Sequence, residues 1–104
     1  MSATYIVFIT TPNEETSLAI AKLLVESSLA ACVNLLPKIR SIYKWEGKVC
    51  DDQEQLLLVK TTAEKLDQLI GTVKQNHPYD VPETVAVKIE KGNEDYLKWI
   101  SENC

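Results

Sequence analysis

Two short runs, Tyr5-Ile6-Val7-Phe8-Ile9 and Leu56-Leu57-Leu58-Val59, limit this chain more than anything else in it, because they are apolar at every position. Successive side chains of a strand point to opposite faces of the sheet, so a strand built from such a run is apolar on both sides. Both faces then need cover. A chain of 104 residues has material for one hydrophobic core and reads as a single domain over 1–104. If its own helices cover one face, the other would be an apolar patch larger than soluble monomers usually expose, and a second subunit is the expected cover.

Around these runs the remaining elements follow from local pattern. Pro12 and Asn13 close the first strand, Asn13 caps a helix with Glu14 and Glu15 in its first turn, and Glu15, Lys22 and Glu26 form its narrow polar stripe. A long strand runs from Ala30 to Trp45. Pro37 interrupts it, and a residue without a backbone N–H implies an edge position or a bulge there. Glu46-Gly47-Lys48 makes the return, and the outgoing arm ends in the run from Gln55 to Lys60. Thr61-Thr62-Ala63-Glu64 has the form of a capping box ahead of Leu66, Leu69, Ile70 and Val73 at helical spacing. Pro78 ends that helix; Val85, Val87 and Ile89 alternate with Thr84, Ala86 and Lys88 as a strand with one wetter face, and Asn93 opens a last helix. The order β-α-β-β-α-β plus a C-terminal helix is that of an α+β, ferredoxin-like sandwich.

Composition removes several functions. With a net charge of −4 and no clustered Lys or Arg, nucleic acid is not an expected partner. No run approaches the roughly 18 apolar residues of a membrane span, and no basic segment leads into an apolar one at the N-terminus, so no membrane role is expected. Cys32, Cys50 and Cys104 are odd in number and widely spaced, which encodes neither a disulfide framework nor a self-contained zinc site and points to a reducing, cytoplasmic setting. The glycines are too far apart for a phosphate cradle, no serine sits in a nucleophile elbow, and the single arginine, Arg40, is far from the first strand where acylphosphatase-like chemistry would need it. An enzyme is therefore not expected.

Chemistry concentrates in His77-Pro78-Tyr79-Asp80-Val81-Pro82-Glu83, which holds the only histidine, an aromatic and two carboxylates between prolines. One reading makes His77 a metal ligand held by a stiff loop; the other makes it a helix-end residue favoured by the dipole. One histidine supports only a weak copper or zinc site unless ligands come from a second subunit. Asp51, Asp52 and Glu54 read as a solvated strand end, Cys32 as a small buried hydrophobe, and Tyr43 with Trp45, two residues apart on one strand face, as an aromatic anchor for a neighbouring subunit.

Five segments, Ala30-Ala31-Cys32-Val33-Asn34, Ser41 to Lys48, Lys60-Thr61-Thr62, His77 to Glu83 and Tyr96-Leu97-Lys98-Trp99-Ile100, together resemble the CutA family of divalent-cation tolerance proteins in sequence and order. The resemblance spans the chain. It implies a homotrimer built through the long β hairpin and similar in architecture to the PII signalling trimers, whose ligands bind between subunits. It also implies a cytoplasmic protein associated with tolerance of copper and other divalent metal ions, with a PII-like small-molecule sensor as the alternative. The family's proposed copper site has a cysteine and two consecutive histidines where this chain has Ile9, Asn76 and His77, so His77 alone carries over as a metal residue. Cys32, Lys60, His77, Tyr79 and Glu83 are the inter-subunit pocket that the resemblance implies.

Overall fold

The structure, a computed structural model, describes residues 2–104. Its elements are β1 (Thr4–Thr11), α1 (Glu14–Glu26), β2 (Cys32–Trp45), β3 (Lys48–Thr62), α2 (Leu66–Asn76), β4 (Thr84–Lys88) and α3 (Glu94–Glu102). The strands form one antiparallel sheet in the order β2-β3-β1-β4. This is the ferredoxin-like arrangement.

The register shows how the doubly apolar strands divide their side chains. Val7 pairs with Val59 and Ile9 with Leu57, and these four are fully buried beneath Ile20 and Leu24 of α1 and Leu69 and Val73 of α2. The alternate residues Ile6, Phe8, Leu56 and Leu58 face the other way. On β4 the residue that packs against the core is Ala86, opposite Val7, whereas Val85 and Val87, opposite Phe8 and Ile6, are each 53% exposed. The wetter-looking side of β4 is thus the helix-covered one, and its valines stand on the sheet face that the protomer leaves bare. α3 packs against the Thr4–Thr62 end of β1 and β3 and buries Ile100 outside the main cluster.

Pro37 does what its chemistry requires. β2 is an edge strand, its register against β3 shifts between Leu36 and Ile39, and Lys38 takes a positive φ of 60° at the bulge. Beyond it the β2–β3 hairpin projects as an arm to the turn at Glu46 and Gly47, whose φ values of 50° and 80° suit the twist of a two-residue hairpin loop. No helix covers this arm, and Ile42 and Val49 are 68% and 72% exposed. Asn13 and Asn93 cap their helices as expected, accepting from the backbone N–H groups of Thr16 and Tyr96 at 2.8 and 3.1 Å. The capping box expected over 61–64 does not form: Thr61 stays in the ladder opposite Tyr5 with its hydroxyl donating to the Leu29 carbonyl at 2.7 Å, and the chain passes through a 3-10 turn over 63–65 before α2 begins.

Candidate functional site: a cleft between the hairpin arm and the loop after α2

His77 follows α2 in extended conformation and is only 8% exposed. Its Nε2 lies 2.7 Å from the carbonyl oxygen of Thr10. A carbonyl only accepts, so Nε2 carries the proton; Nδ1 is then the bare nitrogen, and it accepts from the Tyr79 backbone N–H at 3.1 Å. The ring therefore fastens the end of α2 to the end of β1 and fixes the first turn of the loop. A metal ligand needs a free lone pair on an imidazole nitrogen. In this geometry both nitrogens are engaged, and within one protomer the ring acts as a latch.

The latched loop places Tyr79 over β3, its ring tilted against that of His77 at 4.7 Å between centroids. The Tyr79 hydroxyl donates to Oε2 of Glu54 at 2.7 Å. Glu54 is 7% exposed, which corrects the reading of the whole acidic cluster as a solvated strand end. Its two neighbours are exposed: Asp51 accepts two hydrogen bonds from Arg40 at 2.8 and 2.7 Å, and Asp52 accepts one from the Tyr43 hydroxyl. The Arg40 hydrogen bond holds the Asp51 carboxyl below its usual range. Because the pair is exposed, it adds little stability.

Both phenols are held in their protonated form. The hydrogen bond to Asp52, with smaller help from burial, pushes Tyr43 up to about 12, and burial followed by the hydrogen bond to Glu54 pushes Tyr79 up as well. A phenol whose folded pKa is raised contributes stability that is intact below the unfolded value near 10 and is lost as pH rises toward the folded one. Thermal melts from pH 9 to 12 are therefore expected to fall less steeply for Tyr79→Phe than for the wild type. Equal slopes would mean that the Tyr79–Glu54 bond does not persist in solution.

Between the arm and the loop lies a half-open cleft of about 690 Å³. Tyr43, Trp45, Ser41 and Ile42 line it from the arm, Thr10 and Glu54 from the floor, and Tyr79, Asp80, Val81 and Glu83 from the loop. Alternation puts Tyr43 and Trp45 on the same face of β2 as expected, both partly exposed. The five residues of the implied pocket do not meet within one protomer. Tyr79 and Glu83 line the cleft and His77 is buried just before them in the chain, whereas Cys32 and Lys60 pair across β2 and β3 near the other end of the sheet, with Lys60 Nζ 4.0 Å from Cys32 Sγ. Lys60 lies six residue steps along β3 from Glu54, roughly 20 Å. Cys32 is half-buried, more open than the small buried hydrophobe its strand suggested.

The residue that sequence reasoning missed is Glu54, on the floor of the cleft. Glu54 had a usable signal, since it shares the strand face of Leu56 and Leu58 while belonging by sequence to an acidic run. Among the described residues no three His, Cys, Asp or Glu side chains come together as a metal site, and a protomer by itself does not fit a resident ion. Among them also, no helix is long and apolar enough to cross a membrane.

Comparison with known proteins agrees with this fold. The family model described as CutA1 divalent ion tolerance protein matches residues 5–103. The chain is 55% identical over 98 residues to the divalent-cation tolerance protein CutA of Thermus thermophilus, covering 94% of this chain and 95% of that one. It is 48% identical to the chloroplastic protein CutA 1 of Oryza sativa subsp. japonica over 91% of its own length, and spans about half, 54%, of that longer relative. The solved structure of the Thermus thermophilus protein superposes with a TM-score of 0.94 at 54% identity, covering 96% of this chain and 97% of that one. The chain belongs to the CutA1 divalent ion tolerance protein family.

Proposed function

We propose that this chain works in tolerance of divalent cations as a cytoplasmic, non-enzymatic homotrimer, with copper and other divalent metal ions as the species it responds to. The observation that carries the reading is the family match over residues 5–103, reinforced by 55% identity to a relative named for divalent-cation tolerance. The bare valines of β4 and the uncovered arm supply surface for assembly, and three free thiols suit a reducing compartment. Since the described residues of one protomer do not gather three ligands, an ion bound by the protein is expected to draw on more than one copy. Assembly that sets the Cys32–Lys60 end of one protomer beside the Tyr79–Glu83 loop of another would unite the pocket that a single chain keeps apart.

Calorimetric titration of Cu(II) and Zn(II) into the oligomer tests this, with His77→Ala as the informative variant. That change removes a ring bonded to Thr10 and to Tyr79, both in part-buried or buried settings, and is expected to cost about 2–3 kcal/mol of stability. Metal affinity is expected to change by less than twofold. Loss of metal binding in a folded His77→Ala trimer would return His77 to the ligand role, and no binding by the wild type would remove the metal reading.

A second reading, a PII-like small-molecule binding module, is favoured by the cleft itself. Its volume lies within the 300–1,000 Å³ of ordinary ligand sites, and its walls mix aromatic rings with a few polar groups.

A further inference from the structure

We propose that the loop from Tyr79 to Glu83 of one copy docks on the α3 end of the next, with Val81 seated against Tyr96 and Trp99 and the loop carboxylates facing Lys60. This rests on the homotrimer reading and deepens it by naming a contact between its subunits.

One half of the contact is an aromatic seat beside a free cation. Tyr96 and Trp99, three residues apart on one face of α3, stack at 5.6 Å between ring centroids and stay 43% and 42% exposed, while Ile100 is the α3 residue buried against its own chain. The Tyr96 phenol stands beside Cys32; burial first, and then that thiol, push its pKa up. Cys32 is the ladder partner of Lys60, and Lys60, opposite Ile6, belongs to the sheet face that no helix of the protomer covers. Among the described residues the single ion pair is Arg40 with Asp51, so the Lys60 ammonium has the Cys32 sulfur, at 4.0 Å, for company and no carboxylate.

The loop is the complement of that seat. Val81 is 69% exposed, with Asp80 and Glu83, both exposed and unpaired, on either side of it. Pro78 and Pro82 stiffen the segment, and His77 and Tyr79 fasten its base to Thr10 and Glu54, so the loop is presented with little ordering left to lose on contact. An apolar tip between carboxylates thus answers an apolar seat beside an ammonium, and aromatic anchors with complementary charge are what subunit contacts select. One chain cannot join the two by itself. The loop base lies at the Thr10 end of the sheet and α3 at the Thr4 end, six strand steps or roughly 20 Å away, with β4 running between them from Thr84 opposite Ile9 to Lys88 opposite Tyr5. Loop on loop would set carboxylate against carboxylate, and α3 end on α3 end ammonium against ammonium. Loop on α3 end satisfies both, and repeated head to tail it closes a ring.

The test replaces Val81 in the full chain with the photocrosslinking residue p-benzoylphenylalanine and reads the irradiated protein on a denaturing gel and by peptide mass spectrometry. Covalent species of two and three chains are expected, with the links falling on the α3 segment around Tyr96 and Trp99 of another copy. Links confined to one chain or to the hairpin arm, or no links in a protein that light scattering shows to be a trimer, overturn the proposal and leave the homotrimer standing. A monomeric mass for the wild type removes both. Trp99→Ala is the independent check: its side chain is exposed in the protomer, so circular dichroism is expected to be unchanged, while the dissociation midpoint is expected to rise about tenfold or more. An unchanged midpoint overturns the proposal as well.

Discussion

The Val87→Asp substitution is expected to turn the assembly into folded monomers. Val87 lies opposite Ile6 on the sheet face that no helix of the protomer covers, and it is 53% exposed there. Within one chain the change meets open space, so circular dichroism of the variant is expected to match that of the wild type. In the proposed homotrimer the same position would be withdrawn from water. An unpaired carboxylate placed there costs on the order of 3 kcal/mol or more, a factor above a hundred in dissociation, and symmetry repeats the penalty in every subunit. Sedimentation at micromolar concentration reads the result. An unchanged mass would show that β4 lies outside the interface.

Leu57→Ala carries the largest expected loss of stability within the protomer. Leu57 is fully buried near the middle of β3, flanked by Ile9 on β1 and Leu35 on β2, beneath both main helices. Truncating a leucine boxed in by strands on both sides leaves a cavity that the sheet cannot collapse, and the expected cost is about 2–5 kcal/mol. Urea unfolding at fixed protein concentration measures it, since assembly makes the midpoint concentration-dependent. A loss below 1 kcal/mol would mean that the core repacks around position 57.

The fold was largely legible because its signals are local and strong. Asn13 and Asn93 each precede an acidic first turn and do cap helices, and Pro37 in a strand demands the edge and bulge it receives. The misreadings share a different cause. Thr61 looks like a cap until its ladder partner Tyr5, far earlier in the chain, is known. The valines of β4 look like core until strand pairing shows that Ala86 is the residue aligned with Val7 and Val59. Both errors concern long-range register, which local periodicity does not encode.

The site was legible as a place more than as a chemistry. The loop residues from Pro78 to Glu83 do border the cleft, and Tyr43 with Trp45 forms its opposite wall. What His77 does there depends on the Thr10 carbonyl and the Tyr79 amide, two backbone groups without a sequence signature. Glu54 was hidden for a related reason: it shares its strand face with the exposed Asp52, and what withdraws it from water is the Tyr79 loop, which the acidic run does not reveal.

Everything said of the shared pocket and the covered sheet depends on assembly, and the absolute mass of the protein in solution tests that most directly. Multi-angle light scattering at micromolar concentration is expected to give three times the 11.7 kDa of one chain. A mass of 11.7 kDa would mean that the apolar second face of the sheet stands open to water, and would contradict the account.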